Sequence, residues 1–261
     1  ILRKKWLFSI KNWRNSTSCI WKKITNKKAS IILVFTLPCL ALTQNLQLHY
    51  DFGRQHLTST YELYKTDRLG ATFLFVDFDY NNEGSSGSRN ASLAYGEIAR
   101  YFQLPKMNDL SATLQYNDGL TNSGSFNSVW LGGLQYVFQI GTQNFPIDFL
   151  LRKELNTDGL TFQLTYVWSY IWRKLELSGF IDIWNTGADA YPPRKIVILS
   201  EPQFWYRLTP ALSVGGEIEI SFNFSGAWHT NQVFSEDVIF ILPTLGLKWL
   251  FWVRSLPKSP S

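Results

Sequence analysis

From Leu212 to Phe224 the chain alternates. Leu212, Val214, Ile218, Ile220, Phe222 and Phe224 are apolar, and Ser213, Glu217, Glu219, Ser221 and Asn223 between them are small, polar or charged. A strand carries this period of two when its faces meet different surroundings. About ten such segments follow one another, and the stretches between them show no helical periodicity. The pattern predicts an all-β, single-domain chain: a transmembrane antiparallel up-and-down barrel of about twelve strands, with lipid outside and a polar lumen inside.

The first strand is expected over Leu46–Phe52, with Leu46, Leu48, Tyr50 and Phe52 on one face and Gln47, His49 and Asp51 on the other. The next fall near Ser59–Lys65, Ala71–Tyr80, Ala91–Gln103 and Leu110–Asn117, then 128–140, 147–154, Leu160–Tyr170, 174–184, 196–207, 211–224 and 237–251. About ten residues is what a tilted strand needs to cross a bilayer. In the fourth strand, a lipid-facing Ile98 and Phe102 put Arg100 on the same face, which calls for a bulge or for a side chain that snorkels to the interface. Pro202, in the middle of the tenth strand, marks either a bulge with a kink or a lipid-facing irregularity.

The connections alternate in length. Thr66–Gly70, Leu104–Asp109, Gly141–Phe145, Trp172–Arg173 and Leu208–Pro210 are short. On the opposite rim Asn81–Asn90, Asp118–Asn127, Asn185–Lys195 and Ser225–Glu236 are longer, with Gly53–Thr58 and Asn156–Gly159 brief exceptions. Short turns on one side, the periplasmic one, are the habit of outer-membrane barrels. One choice of parity also collects aromatics at both rims. Tyr50, Phe52, Phe78, Tyr80, Tyr116, Phe222 and Phe224 end upward strands, and Tyr136, Phe138, Trp168, Tyr170, Phe204, Tyr206, Trp249 and Phe251 end downward ones.

Composition supports this once the chain is divided. The formal charge of +5 arises because nine Lys or Arg and no acid fall in the first 43 residues, which leaves 16 basic against 20 acidic residues and a net −4 beyond them. No nucleic-acid partner is therefore expected. Residues 22–43 read as a signal peptide, with Lys22, Lys23, Lys27 and Lys28 before the apolar run Ile31–Leu42 and small residues at Ala41 and Thr43. Residues 1–21 read as an N-terminal extension without expected structure, 44–251 as the barrel, and 252–261 as a Pro- and Ser-rich tail out of pattern. Both cysteines, Cys19 and Cys39, precede the barrel, so it has no disulfide, thiolate metal site or Cys nucleophile to offer. No cofactor and no metal are expected.

Three stretches carry a resemblance: Phe73-Leu-Phe-Val-Asp-Phe-Asp-Tyr80, Leu199-Ser-Glu-Pro-Gln-Phe-Trp-Tyr206 and Pro243-Thr-Leu-Gly-Leu-Lys-Trp249. Over about residues 44–250 the chain resembles an uncharacterised family of Gram-negative outer-membrane proteins. That family is more distantly similar to the nucleoside-specific channel-forming porins. The resemblance implies a monomeric barrel in the cell outer membrane, inserted by the barrel-assembly machinery, with a narrow aromatic and ionisable pore. Chains of this class usually finish on an aromatic residue, here Phe251, whereas this one continues to Ser261.

The same parity places Asp51, Glu62, Asp77, Asp79, Glu97, Asp148, Glu176, Asp182, Glu201, Glu217 and Glu219 inside, with Arg152, Arg207 and Lys248. Phe73, Phe75, Tyr95, Phe180, Trp184, Trp205 and Phe240 join them. A carboxylate excess in a low-dielectric wall disfavours anions and admits neutral or cationic solutes. Rings beside acids suit a flat solute such as a nucleoside or sugar, stacked on an aromatic and held by its hydroxyls. The candidate solute contacts are Glu62, Phe73, Phe75, Asp77, Asp79, Tyr95, Glu97, Arg152, Phe180, Asp182, Trp184, Glu201, Trp205, Arg207, Glu217 and Glu219.

The function expected is an outer-membrane channel for passive diffusion of small polar solutes, nucleosides among them. A structural or adhesion barrel is the alternative, in which the same groups only fill and brace the interior. A lipid-modifying enzyme needs a Ser or His with a supporting acid. Only His49, His56 and His229 are present, and His49, beside Asp51, is the one expected in a strand. The acidic pairs Asp77/Asp79 and Glu217/Glu219 share a face at spacing two, a weak signal for a cation such as calcium.

Overall fold

The computed structural model describes residues 42–80, 91–122, 124–141, 143–190, 192–224 and 236–251. The anticipated extension, signal peptide and tail, and His229, lie outside them. Within them the secondary structure is strand: β1 (Leu42–Asp51), β2 (His56–Thr66), β3 (Gly70–Asp79), β4 (Leu93–Gln103), β5 (Leu110–Thr121), β6 (Gly124–Ser125), β7 (Val129–Ile140), β8 (Gln143–Glu154), β9 (Thr161–Trp172), β10 (Leu175–Asn185), β11 (Ile196–Ser200), β12 (Gln203–Arg207), β13 (Leu212–Phe222) and β14 (Ile239–Leu250). β6 is a two-residue arm that folds back on the end of β5, and β11 and β12 are two halves of one strand. Every strand pairs antiparallel with its neighbours in sequence, and β14 returns to β1, which closes a twelve-strand barrel.

The two ends of the barrel differ as the connection lengths predicted. β1 begins and β14 ends on the rim that carries the short turns, and the longer loops share the other rim. The register fixes the faces. Asn45, Gln47, His49 and Asp51 sit opposite Glu62, Thr60, Thr58 and His56, and all of these point inward. Leu46, Leu48 and Tyr50 point outward and are exposed, as are Leu245, Leu247 and Trp249 on β14. Closure leaves no sheet edge, so an apolar exterior costs nothing in hydrocarbon, where an unpaired backbone N–H or C=O would be expensive.

Several details differ from the sequence-based expectations. β1 starts at Leu42 rather than Leu46, and Leu42 and Thr43 pair with Lys65 and Tyr64. β5 runs to Thr121 rather than Asn117, because Gly124–Ser125 folds back on Leu120 and Thr121 as a hairpin. Pro202 interrupts its strand without adding a residue. Ser200 and Gln203 lie opposite Ile181 and Ser178 on β10, and opposite Ile220 and Glu217 on β13, so the register is the same on both sides of the break. There is no bulge; the proline only removes a ladder donor. Phe224 leaves the outer aromatic girdle. β13 stops at Phe222, Asn223 takes a positive φ of 55°, and the Phe224 ring meets inward Trp184 edge-on at 5.5 Å.

Arg100 does face outward, with unbroken register on both sides. Its guanidinium runs along the wall to the short-turn rim, where it donates to both carboxylate oxygens of Asp67 at 2.8 Å and to Thr72 at 3.0 Å. The hydrogen bond from Arg100 holds the Asp67 carboxyl below the usual carboxylate range. Snorkelling to a rim acid is thus how this strand keeps a cation on its lipid face.

Close strand approach also makes specific demands. A Cβ on Gly215 would lie 1.9 Å from the Phe204 carbonyl oxygen, whereas one on Gly132, on the outer face, would meet nothing within 4 Å. Gly215→Val is expected to lose the heat-modifiable folded band, or to lower stability in lipid vesicles by more than about 2 kcal/mol. Gly132→Val should retain the band. Urea titration of both variants, followed by tryptophan fluorescence, checks the contrast.

Candidate functional site

The register turns the sequence-predicted candidates toward the lumen. Phe73, Phe75, Asp77 and Asp79 face Tyr64, Glu62, Thr60 and Thr58 across one ladder. Ala99, Glu97, Tyr95 and Leu93 oppose the same β3 residues on its other side. Phe180, Asp182 and Trp184 follow from β10, Arg152 from β8, and Trp205, Arg207 and Glu217 from β12 and β13. Glu201, beside Pro202, keeps the inward parity and interacts electrostatically with Glu217 and Glu219.

The interior has two tiers. Toward the short-turn rim, buried groups form closed networks. Lys248 Nζ donates to Glu176 at 2.9 Å and stands 4.7 Å over the Trp205 ring. Trp205 is 0% exposed and packs edge-on against His49 at 5.4 Å. Asp148 accepts from Tyr101 and Gln115 at 2.9 Å and from Gln135 at 2.7 Å. Trp205 therefore braces the wall and presents no free ring face, unlike the solute contact expected of it. Arg207, paired opposite Ser213, lies at this same end, away from the acids of the middle.

From the middle of the barrel toward the long-loop rim carboxylates prevail. Glu62, in the middle of the wall, accepts from Asn45 at 2.7 Å, Glu217 from Gln203 at 3.0 Å, and Glu97 from Tyr95 at 2.6 Å and Asn117 at 2.9 Å. Asp79 accepts from Thr58 at 2.7 Å, and Asp77 Oδ1 is buried without a hydrogen-bond partner. Glu97 on β4 and Asp182 on β10 are near enough to repel across the bore. Arg152 donates to Glu154 at 2.9 Å and lies 5.7 Å from the Trp184 ring centre. Glu154 was not anticipated, although it continues the parity of Arg152.

Residues outside the period-two pattern complete the site. Phe126, after β6, meets Tyr95 edge-on at 6.2 Å; Tyr95 lies 6.1 Å from Phe75, and Phe75 lies 6.0 Å from Phe73. Four rings thus descend one wall from the mouth. Arg54, in the turn after β1, reaches Asp51 and Glu219. On the rim, Lys195 Nζ donates to Asp237 at 2.7 Å, and this hydrogen bond holds the Asp237 carboxyl below its usual range. Sequence alternation says nothing about loop residues; the only advance signal for Arg54 was a basic residue three positions after the inward Asp51.

The enzyme constellation takes no triad form at His49. Its ring nitrogens lie 2.9 Å from Thr244 Oγ1 and 3.0 Å from Gln47 Oε1, with Glu217 at 3.9 Å. His56 also begins a strand, contrary to expectation, and sits 3.5 Å from Asp79. The spacing-two acids diverge: Asp77 bonds Thr60, and Asp79 bonds Thr58. Among the described residues no group of three or more His, Cys, Asp or Glu is arranged to hold a metal ion.

Removing one member of a buried pair strands the other charge. Lys248→Met is expected to destabilise the barrel by about 3 kcal/mol, and the Lys248→Met, Glu176→Gln double variant to recover most of the loss. Urea midpoints in lipid vesicles measure both.

Comparison with known proteins fits this architecture. The NanC porin matches with a TM-score of 0.53 at 9% identity, over 79% of this chain and 98% of that one. The outer membrane protein Omp33 of Acinetobacter baumannii gives a TM-score of 0.38 at 14% identity, over 80% of this chain and 97% of that one. No curated protein matches in sequence. At such identities the likeness to NanC speaks for a shared fold, the outer-membrane barrel. A family model described as "Domain of unknown function (DUF5020)" matches residues 43–251, nearly the whole described barrel, and the chain belongs to that uncharacterised family.

Proposed function

We propose that the protein is a passive outer-membrane channel for small polar solutes, neutral or cationic, with nucleosides the leading candidates. The observation that carries this reading is the aromatic file Phe126, Tyr95, Phe75 and Phe73 beside Glu62, Asp77 and Glu97. Phe73, Phe75 and Tyr95 are half-buried, so each keeps some ring surface open to the bore. A flat base or sugar stacks on such a surface with any orientation about the ring normal, and the acids beside it accept hydrogen bonds from its hydroxyls. Three or four weak sites in sequence suit transport, because a solute must leave as readily as it enters.

On the opposite wall Trp184, Phe224 and Arg152 supply a second aromatic surface near the mouth. Asp182, Phe180 and Glu201 continue that wall inward. Trp205 and Arg207 are left to brace the short-turn end. One chain closes its own barrel, and in this reading the protein acts as a monomer.

Purified, heat-modifiable protein reconstituted into planar bilayers is expected to conduct, and added nucleoside to reduce the current. Phe75→Ala with Tyr95→Ala should weaken that block by about tenfold, as expected when base–ring stacking of about 1–3 kcal/mol per base is removed. Silent bilayers would favour a structural or adhesion barrel. Conductance indifferent to nucleosides and sugars would refute the solute class but not the channel.

A further inference from the structure

The turn joining β1 to β2 brings Gly53 against the inner wall while Phe52 and Gln55 stay exposed. A Cβ on Gly53 would lie 2.3 Å from Leu242 Cδ2, and Leu242 is an inward-facing, buried residue of β14. A larger residue there would have to displace the Leu242 side chain. Gln55 follows with a positive φ of 58° and returns its N–H to the Asp51 carbonyl at 2.8 Å. The Asp51 side chain accepts the Arg54 backbone N–H at 2.8 Å, which fixes where the next side chain starts.

That side chain enters the bore. Arg54 Nη1 donates to Asp51 at 2.9 Å, and Nη2 donates to both oxygens of Glu219 at 2.8 and 2.7 Å. Asp79 and Glu201 are also within its electrostatic reach. A fork held this way by two carboxylates has strong orientation and little freedom. The other inward cations among the described residues lie elsewhere: Lys248 with Glu176, Arg207 at the short-turn end, and Arg152 with Glu154 on the far wall. Among the described residues of the β13–β14–β1–β2 wall, Arg54 is the cation that meets the acids of the mouth.

Building on the channel reading above, we propose that Arg54 is the selectivity-determining residue of the pore: a counter-ion tethered by the first loop, which offsets the acidic mouth and limits how strongly the channel prefers cations. Without it, Glu219, Asp51 and their neighbours present uncompensated charge to the bore. The local concentration of small cations then rises, and anions are repelled further. Removing Glu219 instead leaves the guanidinium under-neutralised and moves the preference the other way. A purely structural tie predicts no such opposition, since breaking it from either side only loosens the loop.

The test is the reversal potential of folded protein in planar bilayers under a potassium chloride gradient. Arg54→Gln is expected to raise the potassium-over-chloride permeability ratio about fivefold, and Glu219→Gln to lower it. Arg54→Lys, which keeps the charge but loses the fork, should stay near wild type. If Arg54→Gln forfeits the heat-modifiable band, the Arg54→Gln, Glu219→Gln double variant decides the matter. It removes both charges of the pair and should return the ratio from the lowered value of Glu219→Gln toward wild type. A double variant that stays at the Glu219→Gln value would overturn the role of Arg54. A conducting wild type whose variants share one reversal potential would overturn the role of Arg54 and leave the channel standing. A wild type that never conducts would overturn the channel itself.

Discussion

Hydrocarbon offers a backbone N–H or C=O nothing to bond to, so a sheet that crosses a bilayer must close on itself. Here closure is the pairing of β1 with β14 over Asn45–Asp51 and Thr244–Leu250. Once the ring is shut, side-chain direction has only two values, and the fate of each residue follows from its parity. The exterior becomes the face that lipid can solvate. Most strand carboxylates and amides are driven to the bore, where twelve strands leave little room, and Arg100 is an outward exception that reaches the rim.

That crowding explains the character of the interior. Ionisable groups forced together in a narrow, partly dry space must find partners or carry a heavy desolvation cost. The short-turn half finds them along the strands: Lys248 with Glu176, and Asp148 with Tyr101, Gln115 and Gln135. The glycines opposite Trp205 and His49, Gly215 and Gly246, leave space for those large side chains in the same layer. The half near the long loops carries more acids than its own strands can neutralise, and it draws on a loop for Arg54.

The strands were legible because period two is a direct image of the two-solvent geometry. Glu217 and Glu219 could be placed inside from their neighbours Ile218 and Ile220 alone, and the register agrees. The exceptions are positions where another constraint acts. Pro202 cannot donate to the ladder, yet its register is held by β10 and β13 on both sides, so no bulge forms. Phe224 obeys the sequence parity but not the structure, because the left-handed Asn223 ends the alternation one residue earlier. Arg54 and Phe126 lie in turns, where side-chain direction depends on tertiary contacts such as Gly53 against Leu242 and Phe126 over Gly119. Periodicity carries no information about such contacts.

The division of the bore into a braced half and an acidic half bears on where discrimination takes place. A residue such as Trp205, enclosed between Lys248 and His49, has no surface with which to distinguish one solute from another. Tyr95 and Phe75 retain open ring surface, and Glu97 and Asp77 stand next to them on the same wall. In the proposed channel, charge and stacking would therefore act on a solute together, in the half it reaches first from the long-loop side. Strands set the rigid wall on which those groups are spaced, and the loops supply the final cation and the outermost ring. On the channel reading proposed above, selectivity belongs to the junction between strand and loop, where a rigid acidic wall meets side chains whose positions depend on how the turns are folded.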